Sequence, residues 1–298
     1  MNKLSTSKNR ALLEALLVTL LWSTSWVLIK EGLADLPPIL FAGLRYFLAF
    51  LLLLPLLGRT SLRRELATLK GSDWGWLLLL GLVYYTLTQG AQFLGLLYLP
   101  ANMLSLMLTL CGISIALGGL IFLGEKLSGF QWMGVSVSIG GALVYFGAVD
   151  QISTIGLWMG LLAILSNTGG ALLGRRVNRS AHISPSLVTL ISMGFGSILL
   201  LGTGLLLEEW PVFGFREWAI IFWLAAVNTA FAFTLWNRSL QQLSAAQSSV
   251  INNTMLIQIA VLAWIFLDER LGAIQITGLA IALVGTVMVQ RRPRQEQV

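Results

Sequence analysis

Ten long apolar runs separated by short polar segments leave this chain of 298 residues almost no alternative to a membrane. A helix crossing the hydrocarbon core needs about 20 mostly apolar residues, because each residue rises about 1.5 Å against a core about 30 Å thick. The runs extend over residues 11–29, 38–57, 74–97, 101–123, 130–149, 155–173, 184–207, 218–235, 246–267 and 272–289. With 56% of residues hydrophobic and 11% charged, no water-soluble domain could hide the apolar surface. Tracts such as Leu51 to Leu54 and Leu77 to Leu80 do not alternate, so they do not read as the strands of a membrane barrel. Helices satisfy every buried amide within their own segment, and an all-α integral membrane fold of ten transmembrane helices is predicted.

The polar remainder excludes several functions. Its longest stretch, residues 58–73, is too short for a soluble catalytic domain. Lys3, Lys8 and Arg10 precede an apolar run as in a secretory signal, but that run is long and ends in Trp22-Ser23-Thr24-Ser25-Trp26 without a small-residue cleavage pattern. It reads as a retained first helix. The single cysteine, Cys111, lies inside the fourth helix and reads as packing, with no disulfide framework or thiolate metal site. The one histidine, His182, sits by a basic loop without other ligands, so no metal is expected. Neither a nucleophile–base set nor a nucleotide-binding loop is visible, so neither an enzyme nor an ATP-driven pump is expected, and no cofactor is implied.

The formal charge of +6 sorts by side of the membrane rather than into one patch for nucleic acid. With the N-terminus inside, Lys3, Lys8, Arg10, Arg59, Arg63, Arg64, Lys70, Lys126, Arg175, Arg176, Arg179, Arg238, Arg291, Arg292 and Arg294 face the cytoplasm. Only Lys30, Arg216 and Arg270 fall outside, and Arg45 lies within the second helix. This asymmetry predicts both termini in the cytoplasm and supports an even number of helices.

Displacing the chain by 144 positions brings Ile121, Phe122, Leu123, Glu125, Leu127, Gln131, Gly134 and Gly141 onto Ile265, Phe266, Leu267, Glu269, Leu271, Gln275, Gly278 and Gly285. The chain therefore reads as two five-helix repeats, residues 1–150 and 151–298. Five is odd, so the second repeat enters the membrane inverted with respect to the first. Inverted repeats support two alternative arrangements with substrate held near the middle, the geometry of alternating access. Small residues at Gly134, Ser138 and Ala142 fall on Gly278, Ala282 and Thr286. Such spacing lets backbones approach closely, either within one subunit or along the seam of a homodimer.

Together with these repeats, Leu21-Trp22-Ser23, Pro38, Arg45 and the hairpins at Glu125 and Glu269 resemble the drug/metabolite transporter superfamily, EamA-type branch. The resemblance covers the whole chain as two successive EamA units. It implies a ten-helix carrier of the bacterial inner membrane, usually exporting small metabolites such as amino acids. The family's first-helix Trp-Gly is Trp22-Ser23 here, a departure that touches any bend made by that glycine.

Candidate site residues follow from polarity inside the spans. A cation within a helix is costly and faces a partner or a water-filled cavity, so Arg45 either grips a substrate carboxylate with its planar fork, or else caps backbone carbonyls or snorkels outward. The ninth helix carries Gln247, Ser248, Ser249, Asn252, Asn253, Thr254 and Gln258, where the first repeat has mostly apolar residues. Amides both donate and accept, suiting a polar or zwitterionic solute, or alternatively bonding neighbouring helices. Gln89, Asn167 and Asn228 lie at similar depth, as do Trp22 and Ser23. Trp22, Trp26, Tyr84, Tyr85 and Trp236 could stack on an aromatic or cationic solute. Glu14 is the nearest candidate for proton coupling, while Glu125 and Glu269 read as hairpin caps or partners of Lys126 and Arg270. The expected function is a secondary carrier of a small polar metabolite; a membrane sensor or assembly protein would use the same bundle, and an intramembrane enzyme would need groups that are not seen.

Overall fold

The structure is a computed structural model that describes residues 2–123, 127–149, 151–179, 183–240, 242–243 and 245–290. Glu125, Lys126, His182, Arg291, Arg292 and Arg294 lie outside the described residues. Among those described, every regular element is helical. The membrane helices are α1 (Asn2–Gly32), α2 (Pro38–Leu53, with a 3-10 turn Leu54–Gly58), α3 (Gly71–Leu80, a π-helical stretch Gly81–Leu87, then Thr88–Tyr98) and α4 (Ala101–Thr109 and Cys111–Leu123). They continue with α5 (Gly129–Gly147), α6 (Thr154–Arg179), α7 (Pro185–Leu207), α8 (Phe215–Ala225, a π-helical stretch Ala226–Phe231, then Ala232–Leu240), α9 (Ala245–Phe266) and α10 (Ala273–Gln290). A short helix, Thr60–Ala67, joins α2 to α3.

Among the described residues, eight of the ten are long and apolar enough to cross a membrane on their own composition. Of the other two, α5 is diluted by glycines, serines and Gln131, and in α9 the described segment Val250–Phe266 is apolar but shorter. The helix starts follow local chemistry. Proline at the first turn of α2 and α7 needs no amide partner, and Ser184 and Ser128 accept from the backbone N–H groups of Leu187 and Gln131.

The helices form two compact units. Unit 1 comprises residues 1–27, 99–154 and 235–298, and unit 2 comprises residues 28–98 and 155–234. Each unit thus draws helices from both halves of the sequence.

In unit 1, α5 and α10 pack along their small-residue faces. A Cβ on Gly141 would come 2.3 Å from the Ala282 amide nitrogen, and one on Gly285 would come 2.2 Å from that of Ser138, so the backbones are in direct contact. The pairing is reciprocal: Gly134 faces Gly285 while Gly141 faces Gly278, and the repeat carries Gly134 onto Gly278 and Gly141 onto Gly285. Ser138 Oγ donates to the Ala282 carbonyl at 3.2 Å and shares a 3.1 Å hydrogen bond with Thr286. The small faces of these helices are therefore occupied within the subunit, which removes the sequence argument for a homodimer seam there.

In unit 2, α7 packs against α2 and the π-helical stretch of α3. Leu77, Leu80, Leu187 and Val188 close the core at one end, with Leu62 of the short helix, and Phe41 meets Phe93 edge to face with centroids 5.2 Å apart. Carboxylates finish several helix starts. Glu208 accepts from the N–H groups of Ile39 (3.1 Å) and Leu40 (2.7 Å), and Glu65 accepts from that of Ser184. In unit 1, Glu269 does the same for Ala101 (2.7 Å) and Asn102 (3.0 Å) at the start of α4. Glu269 is thus a cap, but of the start of α4 rather than of its own hairpin, and Arg270 pairs with Asp268 rather than with Glu269.

Candidate functional site

The two π-helical stretches occupy equivalent positions in the repeats, Gly81–Leu87 in α3 and Ala226–Phe231 in α8. One extra residue per turn frees carbonyls from the ordinary ladder. Thr88 Oγ1 donates to the Val83 carbonyl (2.9 Å) and Thr229 Oγ1 to the Leu224 carbonyl (2.8 Å), each five residues back. Such bulges commonly mark functional sites because they re-aim side chains without ending the helix.

Arg45 points at one of them. Its side chain, on a residue only 5% exposed, donates from Nε to Thr229 Oγ1 at 3.1 Å, and its guanidinium lies 5.1 Å from the Tyr46 ring centroid. Among the described residues no carboxylate pairs with Arg45, and that bond to Thr229 is its side chain's only hydrogen bond. The expected alternative in which Arg45 bonds backbone carbonyls is not what the geometry shows. Tyr46 in turn donates its hydroxyl to Gln89 Oε1 at 2.6 Å, and the rings of Tyr46, Tyr85 and Tyr84 stand edge to face at 5.9 and 5.2 Å. Asn228, fully buried, precedes Thr229 on the π-helical stretch. Unit 2 thus gathers Arg45, Gln89 and Asn228 with Tyr46, Tyr85 and Thr229. Asn167 is half-buried on α6, which passes the same region where Gly170 packs on Tyr84, but no hydrogen bond among the described residues joins it to Arg45.

Unit 1 gathers a second polar set. Ser23 Oγ donates to Gln258 Oε1 at 2.9 Å, and Gln258 Nε2 donates to Thr19 (3.3 Å) and Thr254 (3.2 Å). Asn253 Nδ2 donates to Gln290 Oε1 at 2.7 Å, while Asn252 is exposed on α9. Gln258 and Asn253 therefore bond neighbouring helices, as one of the two readings of these amides expected. Trp22 packs on Trp236 with centroids 5.3 Å apart. Glu14 accepts from Arg10 Nε at 2.9 Å and from Arg238 Nε at 3.0 Å, so the candidate for proton coupling carries two guanidinium partners.

Sequence reasoning missed Thr229 and Tyr46. Thr229 stands 144 positions after Tyr85, so the repeat could have marked it as equivalent to a residue already singled out; Tyr46 adjoins Arg45 but was not weighed.

What an arrangement like unit 2's can do is bind an anion. A guanidinium held by one nitrogen beside one tyrosine ring keeps its remaining donors for a bidentate acceptor. No metal cluster of three or more His, Cys, Asp or Glu side chains occurs among the described residues.

Comparison with known proteins agrees with this architecture. The model of the EamA-like transporter family matches residues 9–147 and 154–291. A Bacillus subtilis (strain 168) protein named "Uncharacterized transporter YoaV" is 28% identical over 291 residues, covering 94% of this chain and 96% of the relative. An Escherichia coli (strain K12) protein named "Probable amino-acid metabolite efflux pump" is 24% identical over 282 residues, covering 91% of each. A solved crystal structure 18% identical in sequence superposes with a TM-score of 0.65, covering 94% of this chain and 96% of the other, and shares its fold.

Proposed function

The chain belongs to the EamA-like transporter family, and from that premise we propose that it is a secondary carrier exporting a small polar metabolite that bears a carboxylate. The observation that carries the reading is Arg45, a buried guanidinium with no carboxylate partner among the described residues, fixed through Nε by Thr229. Burying a cation in a bilayer is costly unless something compensates it, and a substrate carboxylate would do so during each cycle. An amino-acid-like solute fits best: the carboxylate on Arg45, the remainder against Tyr85, Asn228 and Gln89. The name of the Escherichia coli relative favours the same class of solute and the same direction.

The two inverted repeats, residues 1–150 and 151–298, support alternating access, in which the same residues are exposed first to one side and then to the other. We assign Trp22, Ser23, Asn252, Asn253 and Gln258 as a second candidate polar set within unit 1, and Asn167 as a further amide within unit 2. Glu14 is the titratable group we assign to coupling, since protonation would release both Arg10 and Arg238. The distribution of Lys and Arg supports both termini in the cytoplasm, and the family resemblance implies a bacterial inner membrane.

The test is flux of labelled amino acids from proteoliposomes containing the purified protein. Arg45→Lys keeps the charge and loses the fork, so KM for a transported carboxylate solute should rise about tenfold, the equivalent of roughly 1.4 kcal/mol. Arg45→Ala should abolish saturable flux while the protein still elutes as a folded species. Wild-type rates in Arg45→Ala across a panel of carboxylate solutes would refute the assignment.

A further inference from the structure

A cleft of about 450 Å³ opens in unit 2 where α2 ends, lined by Leu52, Leu53, Leu56, Arg59, Ala230 and Phe231, with Pro55 and Thr234 at its sides. Two irregularities make it. Pro55 has no N–H to continue the α-helical ladder, and α2 finishes as the 3-10 turn Leu54–Gly58. Opposite, Ala230 and Phe231 close the π-helical stretch of α8, where Ala230 leaves room that a larger side chain would fill.

The lining is amphipathic along its length. Leu52 is 42% exposed and Phe231 51% exposed, both at depths where apolar surface meets lipid tails. Thr234 already donates its hydroxyl to the Ala230 carbonyl at 2.8 Å. Polar recognition therefore falls to Arg59, which is exposed at the mouth just beyond the helix end and has no carboxylate partner among the described residues. Further cations stand nearby, with Arg63 Nε donating to the Leu57 carbonyl at 2.7 Å. In the segment after α2, Glu65 is engaged by the Ser184 amide and Asp73 by the Lys70 amide, while Arg63, Arg64 and Lys70 remain exposed.

A cation at the interface above an apolar groove between two helices matches a phosphate headgroup above an acyl chain. We propose that this cleft binds an anionic phospholipid, its phosphate on the Arg59 guanidinium and one acyl chain along Leu52, Leu56, Ala230 and Phe231. The lipid would fill the gap left by the two helix irregularities and brace the α2–α8 seam that also holds Arg45 on Thr229. The proposal does not depend on which solute the protein carries.

Native mass spectrometry of the purified full chain, titrated with phosphatidylglycerol or phosphatidylcholine, tests it directly. The wild type should retain phosphatidylglycerol about tenfold better than phosphatidylcholine. Arg59→Gln, at an exposed position outside the α-helices, should reduce phosphatidylglycerol retention to the phosphatidylcholine level, and Ala230→Trp, which fills the groove, should reduce retention of both lipids. Equal retention of the two lipids by the wild type, or phosphatidylglycerol retention unaltered by Arg59→Gln, would overturn the proposal. If Ala230→Trp does not fold, the Arg59→Gln comparison decides it alone.

Discussion

Arg45 shows how one residue can be both structurally expensive and poorly explained by structure. Its Nε–Thr229 bond and the Tyr46 ring fix its orientation, yet neither neutralises its charge. Thr229 is the acceptor that holds it, and its hydroxyl proton is already given to the Leu224 carbonyl, so the oxygen faces Arg45 as an acceptor. Thr229→Val preserves shape and removes that oxygen, leaving Nε buried without its bond. The expected loss is about 1–3 kcal/mol of stability, read as a lower unfolding temperature in detergent, with Thr229→Ser close to wild type. An unchanged unfolding temperature in the valine variant would mean that Arg45 finds another acceptor. Arg45 itself was legible in the sequence, because a lone cation inside an apolar run stands out. Thr229 was not singled out, since a threonine in a membrane helix usually bonds its own backbone, and its one signal was the repeat position it shares with Tyr85. The amides of α9 stood out for the same reason as Arg45, yet their composition could not distinguish a solute site from the interhelical bonds that Gln258 and Asn253 make.

At the scale of elements, hydrophobic run length located all ten helices, with ends displaced where polar turns continue the helix, by nine residues at the start of α1 (Asn2 against 11) and six at the end of α6 (Arg179 against 173). The π-helical stretches of α3 and α8 were invisible, because one inserted residue changes the ladder and not the composition. Glu269 was singled out as a residue, but it, Glu208 and Glu65 all act on helix starts distant in sequence, so none of their capping partners left a local pattern. The α5–α10 contact was legible as small-residue spacing, though spacing alone could not choose between packing within a subunit and packing between subunits. Its stringency can be measured. A Cβ at Gly141 would meet the backbone of α10, which cannot yield as a side chain can, whereas one at Gly140 meets nothing within 4 Å. Gly141→Ala should therefore cost about 1–3 kcal/mol by forcing the helices apart, while Gly140→Ala should be neutral or slightly stabilising. Comparing the two unfolding temperatures cancels the common effect of replacing a glycine in a helix, and equal values would place the α5–α10 contact elsewhere on these faces.

For the whole molecule, the repeat explains contacts that no single helix does. Gly134 faces Gly285 while Gly141 faces Gly278, and Glu208 caps α2 while Glu65 caps α7, so each half completes the other according to one reciprocal rule. An odd number of helices per repeat has a topological consequence independent of charge: the two termini must share a side, and the end of α5 must lie on the other. Charge then chooses which side is which. The basic clusters Arg59, Arg63, Arg64 and Lys70, and Arg175, Arg176 and Arg179, fall on the side of the termini, while the opposite side has the isolated Lys30, Arg216 and Arg270. Arg216 pairs with Glu31 and Asp35, Arg270 pairs with Asp268, and Lys30 donates to the Leu96 carbonyl. Alkaline phosphatase fused after residue 290 should accordingly be inactive, and the same enzyme fused after residue 149 should be active, because it works only outside the cytoplasm. Activity at both sites would contradict the odd count, whereas a clean reversal would keep the repeat and refute the charge argument, so the two fusions separate what the helix number dictates from what the arginines and lysines decide.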